Sequence, residues 1–189
     1  MGNVRIDALR EQMKDNNIDV YYLNTSDYHM SEYVPLYFKT IEYFSGFSGS
    51  LATLLVDLEN AYIFVDGRYH IQAEKQCLPN DVQVVKLGTA NALEPIEFIK
   101  KNYVGKVLGL DGTRTSINFA SALSDFEIKS IDIYSGLIEN RVPLSTDLIY
   151  ELGVEYTGLS RKKKLDNVKY ILDGKTHIVN NLESISYIL

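Results

Sequence analysis

Apolar residues recur at Ile6, Leu9 and Met13 with charged residues between them. That three-to-four spacing belongs to a helix burying one face, so 5–16 is read as an amphipathic helix that Asn16 and Asn17 close. Ile18-Asp19-Val20-Tyr21-Tyr22-Leu23 then concentrates β-branched and aromatic residues and predicts a buried strand. Two further apolar runs, 52–56 and 61–65, are strands joined by only Asp57-Leu58-Glu59-Asn60, which predicts an antiparallel hairpin. A regular alternation follows: helix over 68–77, strand over 82–87, helix over 91–102 with Pro95 tolerable in its first turn, strand over 106–111, helix over 116–128 and strand over 130–134. Alternating helices and strands predict an α/β fold, and the hairpin makes the sheet mixed, flanked by helices.

The pattern changes over 135–158, where Ser135-Gly136, Pro143, Ser145-Thr146 and Gly153 read as linker chemistry. A second helix-then-strand unit begins at Ser160, with a helix over 161–172 and a strand over 176–180. It repeats the start of the chain: Leu23-Asn24 followed by Asp27 matches Val179-Asn180 followed by Glu183. A tandem repeat and a chance similarity of two short units both account for this. The domains are therefore expected at 1–134, with a linker at 135–159 and the truncated start of a second α/β unit at 160–189. A lone helix and strand cannot bury both faces, so this last part either packs on the first domain or begins another.

Composition narrows the class. Of 189 residues 46% are hydrophobic, enough for a packed core. The formal charge of −6 argues against a nucleic-acid partner, and Arg161-Lys162-Lys163-Lys164 reads as a solvated helix start. Cys77 is the one cysteine, so no intrachain disulfide forms, and it reads as a small buried hydrophobe. The first residues lack a signal-peptide core, and Ile6 stands where a myristoylation signal needs Ser or Thr. No window reaches the roughly 18–20 apolar residues of a membrane span. A soluble cytoplasmic protein, with no membrane partner, is expected.

Candidate chemistry is sparse. His29, His70 and His177 are the histidines, and none has another at i+3 or i+4. HExxH, CxxC and paired-acid metal loops are all lacking, as are GxGxxG and GxxxxGK[ST]. Gly46-Phe47-Ser48-Gly49-Ser50 misses the nucleophile-elbow pattern at its second glycine. It reads as a tight turn or as a substrate-facing loop that presents Phe47. Asp66-Gly67-Arg68 is a turn with a local ion pair, or an arginine held out for a carboxylate. His29, among Asp27, Glu32 and Tyr33, lies just beyond a strand, where α/β sheets gather ligands; it is a hydrogen-bonded structural histidine or part of a site.

Taken together, SDYHMSEYVP, EYFSGFSGS and LLVDLENAYIFVDGRYHIQAEKQ resemble the opening domain of three-domain Xaa-Pro aminopeptidases, in the creatinase/prolidase superfamily. Gly109-Leu110-Asp111, Glu139-Asn140-Arg141, Tyr156-Thr157-Gly158 and 181–189 extend the similarity along nearly the whole chain. The resemblance implies a creatinase N-terminal-like fold with a ribonuclease H-like motif, and it gives the internal repeat a reason. It implies that two divalent ions, typically manganese, are held by Asp, Asp, His, Glu and Glu of a catalytic domain outside this sequence. No metal ligand or catalytic residue is assigned within it. The parent enzyme would remove a residue preceding proline, act on peptides with proline second and form a homodimer. Tyr28, His29, Glu32, Phe47 and Arg68 are the candidates to face its substrate cleft, and the isolated chain is expected to be inactive. Leu51 and His70 depart from the residues common at those places. A non-enzymatic protein-binding module of the same superfamily is the alternative, which the sequence following Leu189 would distinguish.

Overall fold

The computed structural model of the protein describes residues 3–148 and 150–179. Its body is a six-stranded mixed sheet between two layers of helices. The elements in chain order are α1 (Val4–Asp15), β1 (Val20–Asn24), α2 (Thr40–Ser45), β2 (Thr53–Asp57), β3 (Ala61–Val65), α3 (His70–Cys77), β4 (Gln83–Lys86), α4 (Pro95–Asn102), β5 (Val107–Leu110), α5 (Ile117–Ala122), β6 (Glu127–Ser130), α6 (Val154–Thr157) and α7 (Arg161–Leu172). The strands lie in the order β4-β3-β2-β1-β5-β6. The β2–β3 hairpin is antiparallel, as its short connection predicts, and β1 pairs antiparallel to β2. The β3–β4, β1–β5 and β5–β6 pairs are parallel.

Alternation along the central strands sends side chains into two cores. Tyr21, Leu23, Leu54, Val56, Ile63 and Val65 join Ile6, Leu9 and Met13 of α1, with α2 and α3, on one face. Val20, Tyr22, Leu55 and Phe64 meet Ile99 of α4 and Leu123 beyond α5 on the other. Asn3 begins α1 by accepting the N–H groups of Arg5 and Ile6, satisfying donors that the first turn leaves open. Cys77 is fully buried in the first core, and burial pushes its thiol up to about 11, far from a reactive thiolate.

Several boundaries differ from the sequence reading. The helix expected over 91–102 starts at Pro95, where proline's fixed φ suits the first helical position and the Glu97 carboxylate accepts the Glu94 N–H at 3.3 Å. The helix expected over 116–128 stops at Ala122, and the strand expected over 130–134 is instead β6 at 127–130. Parallel pairing of Val107 with Glu127 and Leu110 with Ser130 decides this register. The residues after β6 turn back across the sheet end and drop Ile133 and Tyr134 into the first core. The short α2 was not anticipated. Residues 176–179 form neither helix nor strand, and Asn180, with the rest of the similarity at 181–189, lies outside the described residues.

Candidate functional site

The register places the glycine-punctuated segments together. β1, β3, β4, β5 and β6 run the same way, while β2 runs against them. The segments after Asn24, Val65, Leu110 and Ser130 therefore emerge at one end of the sheet, where the chain also enters β2 at Thr53. In parallel α/β sheets that end is the usual ligand site. The loop after β1 is tied there by Thr25, whose N–H donates to Ala52 O at 3.0 Å and whose Oγ1 accepts the Ala52 N–H at 3.1 Å. Asp27 then accepts the N–H groups of His29 and Ser31 at 2.8 and 3.0 Å, which curls the loop into a turn.

The five predicted residues divide between two places at this end. Arg68 donates to Asp66 from Nε and Nη2 at 3.0 and 2.8 Å, so the local ion pair foreseen for Asp66-Gly67-Arg68 is formed. The hydrogen bonds and charge of Asp66 hold the guanidinium above its ordinary value, with a further contribution from Glu32. The same contact draws the Asp66 carboxyl below its usual range. The Arg68 guanidinium lies 5.2 Å from the Tyr69 ring, and Tyr69 meets Phe47 edge-on at 5.4 Å. Tyr69 Oη and Ser50 Oγ are 2.7 Å apart, and that contact lowers the phenol. Phe47 itself is 1% exposed and belongs to the core. It forms the floor of a cavity of about 150 Å³ with Val34, Phe38 and Ile41, beneath Ser48, Gly49 and Ser50. Gly49 lets that loop cross the ring, since a Cβ there would stand 2.2 Å from it.

Tyr28 lies at the second place. Half its surface is exposed, and its ring meets Phe38 edge-on at 4.8 Å. It lines a polar cavity of about 230 Å³ together with Asp111, Thr113, Asp132 and Arg141. Partial burial, followed by the nearby Tyr37 and Asp111, raises its phenol. His29 and Glu32 are exposed on the same loop.

Sequence reasoning missed the side chain that joins these parts. Arg114, 3% exposed, spends all its N–H groups internally. Nε and Nη2 donate to Ser26 O at 2.8 and 2.6 Å, and Nη2 also donates to Phe38 O at 2.8 Å. Nη1 donates to Tyr134 Oη at 2.9 Å and to Thr40 Oγ1 at 3.3 Å. Tyr134 in turn donates to Asp111 Oδ2 at 2.6 Å. Arg141, assigned to the linker, lies 3.6 Å over the Tyr37 ring and donates to Tyr37 O at 2.9 Å. An arginine within a polar Gly-Thr-Arg-Thr-Ser stretch carries no local sign of burial. Its partners come from positions 20–88 residues away.

Among the described residues no group of three or more His, Cys, Asp or Glu is placed to hold a metal ion. The donors among these residues do not fit a di-metal centre. No helix among them is long and apolar enough to cross a membrane.

A profile of the Creatinase/Prolidase N-terminal domain matches residues 5–140. The chain is 30% identical over 196 residues to a probable Xaa-Pro aminopeptidase P of Coprinopsis cinerea, covering 96% of this chain and 31% of that protein. It is 32% identical over 197 residues to the Paracoccidioides lutzii protein of the same description, covering 97% and 32%. It thus spans about a third of the length of these relatives. Among solved structures, the X-prolyl aminopeptidase of Caenorhabditis elegans, described as a cytosolic enzyme with a di-nuclear active site, superposes with a TM-score of 0.79 at 27% identity over 90% of this chain and 30% of that one. The N-terminal domain of the cytoplasmic peptidase PepQ from Mycobacterium tuberculosis superposes at 0.54 with 24% identity, over 72% of this chain and 100% of that one, and speaks for the fold.

Proposed function

We propose, from the premise that this chain belongs to the creatinase/prolidase N-terminal domain family, that it is the N-terminal part of a metal-dependent Xaa-Pro aminopeptidase. The enzyme removes an N-terminal residue that precedes proline. The observation that carries this reading is similarity along 96–97% of the chain to about a third of each Xaa-Pro aminopeptidase P relative. Hydrolysis belongs to two divalent ions, typically manganese, bound by a catalytic domain of the same polypeptide outside these residues. This chain supplies a wall of the substrate cleft and a surface for homodimerisation, in the cytosol. The sheet body is the first unit, closing near residue 134, with the linker to 159 and the second, related unit beginning at 160.

The cleft face is the sheet end that carries Tyr28, His29, Glu32 and Arg68. Arg68 is fixed by Asp66 yet more than half exposed, so its remaining N–H groups point to water at a set position. A fixed donor of this kind orients a peptide carbonyl or carboxylate with little loss of side-chain freedom. Phe47 acts from below, as the support of the Tyr69 ring on which Arg68 lies.

The purified chain with manganese should give no turnover of an Xaa-Pro peptide, and turnover would end the proposal. In the complete enzyme, Arg68→Ala should lower kcat/KM by about tenfold, the weight of one charge-assisted hydrogen bond. Unchanged kinetics would return Arg68 to a structural role.

A further inference from the structure

The geometry points to Arg114 as a positioning residue: a buried cationic clamp that sets the conformation of the 26–38 loop, on which Tyr28, His29 and Glu32 ride. The loop contains no strand or α-helix, only a 3-10 turn at Leu36–Phe38 near its end. Its tip is open, with Met30 and Tyr33 53% and 74% exposed. Its two ends nonetheless converge on one guanidinium, which takes Ser26 O at the start and Phe38 O at the close.

Nothing in core packing demands a cation there. An aliphatic side chain would fill the space without the desolvation cost of a buried charge. Only a planar fork with donors on three nitrogens can hold two carbonyls of one loop and a phenol of another segment together. The clamp is itself held. Tyr134 Oη links it to Asp111, whose other oxygen accepts the Thr113 N–H at 2.9 Å and thereby shapes the turn that delivers Arg114. The Arg114 carbonyl completes the circuit by accepting Ser26 Oγ at 2.6 Å and Asn24 Nδ2 at 3.1 Å. The ends of β1, β5 and β6 are so joined through one side chain. The consequence for substrate rests on the cleft-wall reading above; the clamp itself does not.

Hydrogen exchange on the full chain tests it. Arg114→Lys keeps the charge but loses the fork, and should speed exchange of the 27–38 amides about ten- to a hundredfold while β1, β2 and β3 stay protected. Tyr134→Phe, which removes one hydroxyl from a residue that keeps its packing, should loosen the same amides to a smaller extent. It serves as the test should Arg114→Lys not fold. Unchanged exchange at 27–38, or a uniform rise across the sheet, would overturn the clamp. In the complete enzyme, a loosened loop in Arg114→Lys should raise KM for an Xaa-Pro peptide several-fold with kcat nearly constant. A loosened loop with unaltered KM would uphold the clamp and remove the loop from the cleft.

Discussion

Asp27 is 2% exposed, and burial alone would raise its carboxyl. Hydrogen bonds from Ser31 and His29 outweigh that and hold it below the ordinary 3.8. A carboxyl lowered by folding stabilises the folded state at pH values above its unfolded pKa. That contribution fades as pH falls through the unfolded value and towards the folded one. Asp27→Asn should therefore be less stable than the parent near neutrality, with the gap closing below about pH 4; urea midpoints measured across pH check this. Gly49 answers to space rather than charge. A methyl there meets the Phe47 ring, whose other side is core, so Gly49→Ala should destabilise by about 1–3 kcal/mol, read as a lowered urea midpoint at constant slope.

At the level of elements, the pairing of β1 with β5 carries the site. Tyr21 stands opposite Gly109 in the parallel register, and its ring lies over that glycine. A Cβ at Gly109 would come within 2.5 Å of the ring. The bare backbone lets Tyr21 reach across β5 and donate to Ile131 O at 2.6 Å, fixing the turn that follows β6. Gly109→Ala should cost about 1–3 kcal/mol and loosen 131–134, whereas Tyr21→Phe should cost about 1 kcal/mol; thermal denaturation of the pair separates the two effects. Strands β1 to β5 were legible because their buried faces impose an alternation or an apolar run. β6 was displaced and α5 overextended, since Phe126 and Ile128 continue a helical spacing equally well. The six residues of α2 are too few to show a period. Its helix ends at Gly46 with φ +79°, a glycine that the sequence offered equally as part of a turn.

Across the whole molecule, apolar burial ends where the sequence changes character. Tyr134 closes the first core, and Leu137 and Ile138 half-cover it. Beyond Arg141, by contrast, Leu148, Tyr150, Tyr156, Tyr170 and Ile171 are 77–90% exposed. Chymotrypsin, which cuts after large apolar residues, should nick the chain between Leu144 and Leu152 and leave a stable body containing 3–140. Mass spectrometry of the products checks it, and cleavage within the sheet as the first event would count against that body.

Local sequence was enough to determined the α/β class, the hairpin and the two-faced strands, because burial of alternate side chains leaves a periodic trace in neighbouring residues. It also located the Asp66–Arg68 pair, whose partners are two positions apart. Only the folded chain decided that Phe47 lies beneath the surface, that Tyr28 and Arg68 stand at different places along the sheet end, and that Arg114 is buried. Those outcomes depend on contacts between segments far apart in sequence. For Arg114 the pairing of β1 with β5 brings the partners together, and no short stretch of residues encodes that pairing by itself.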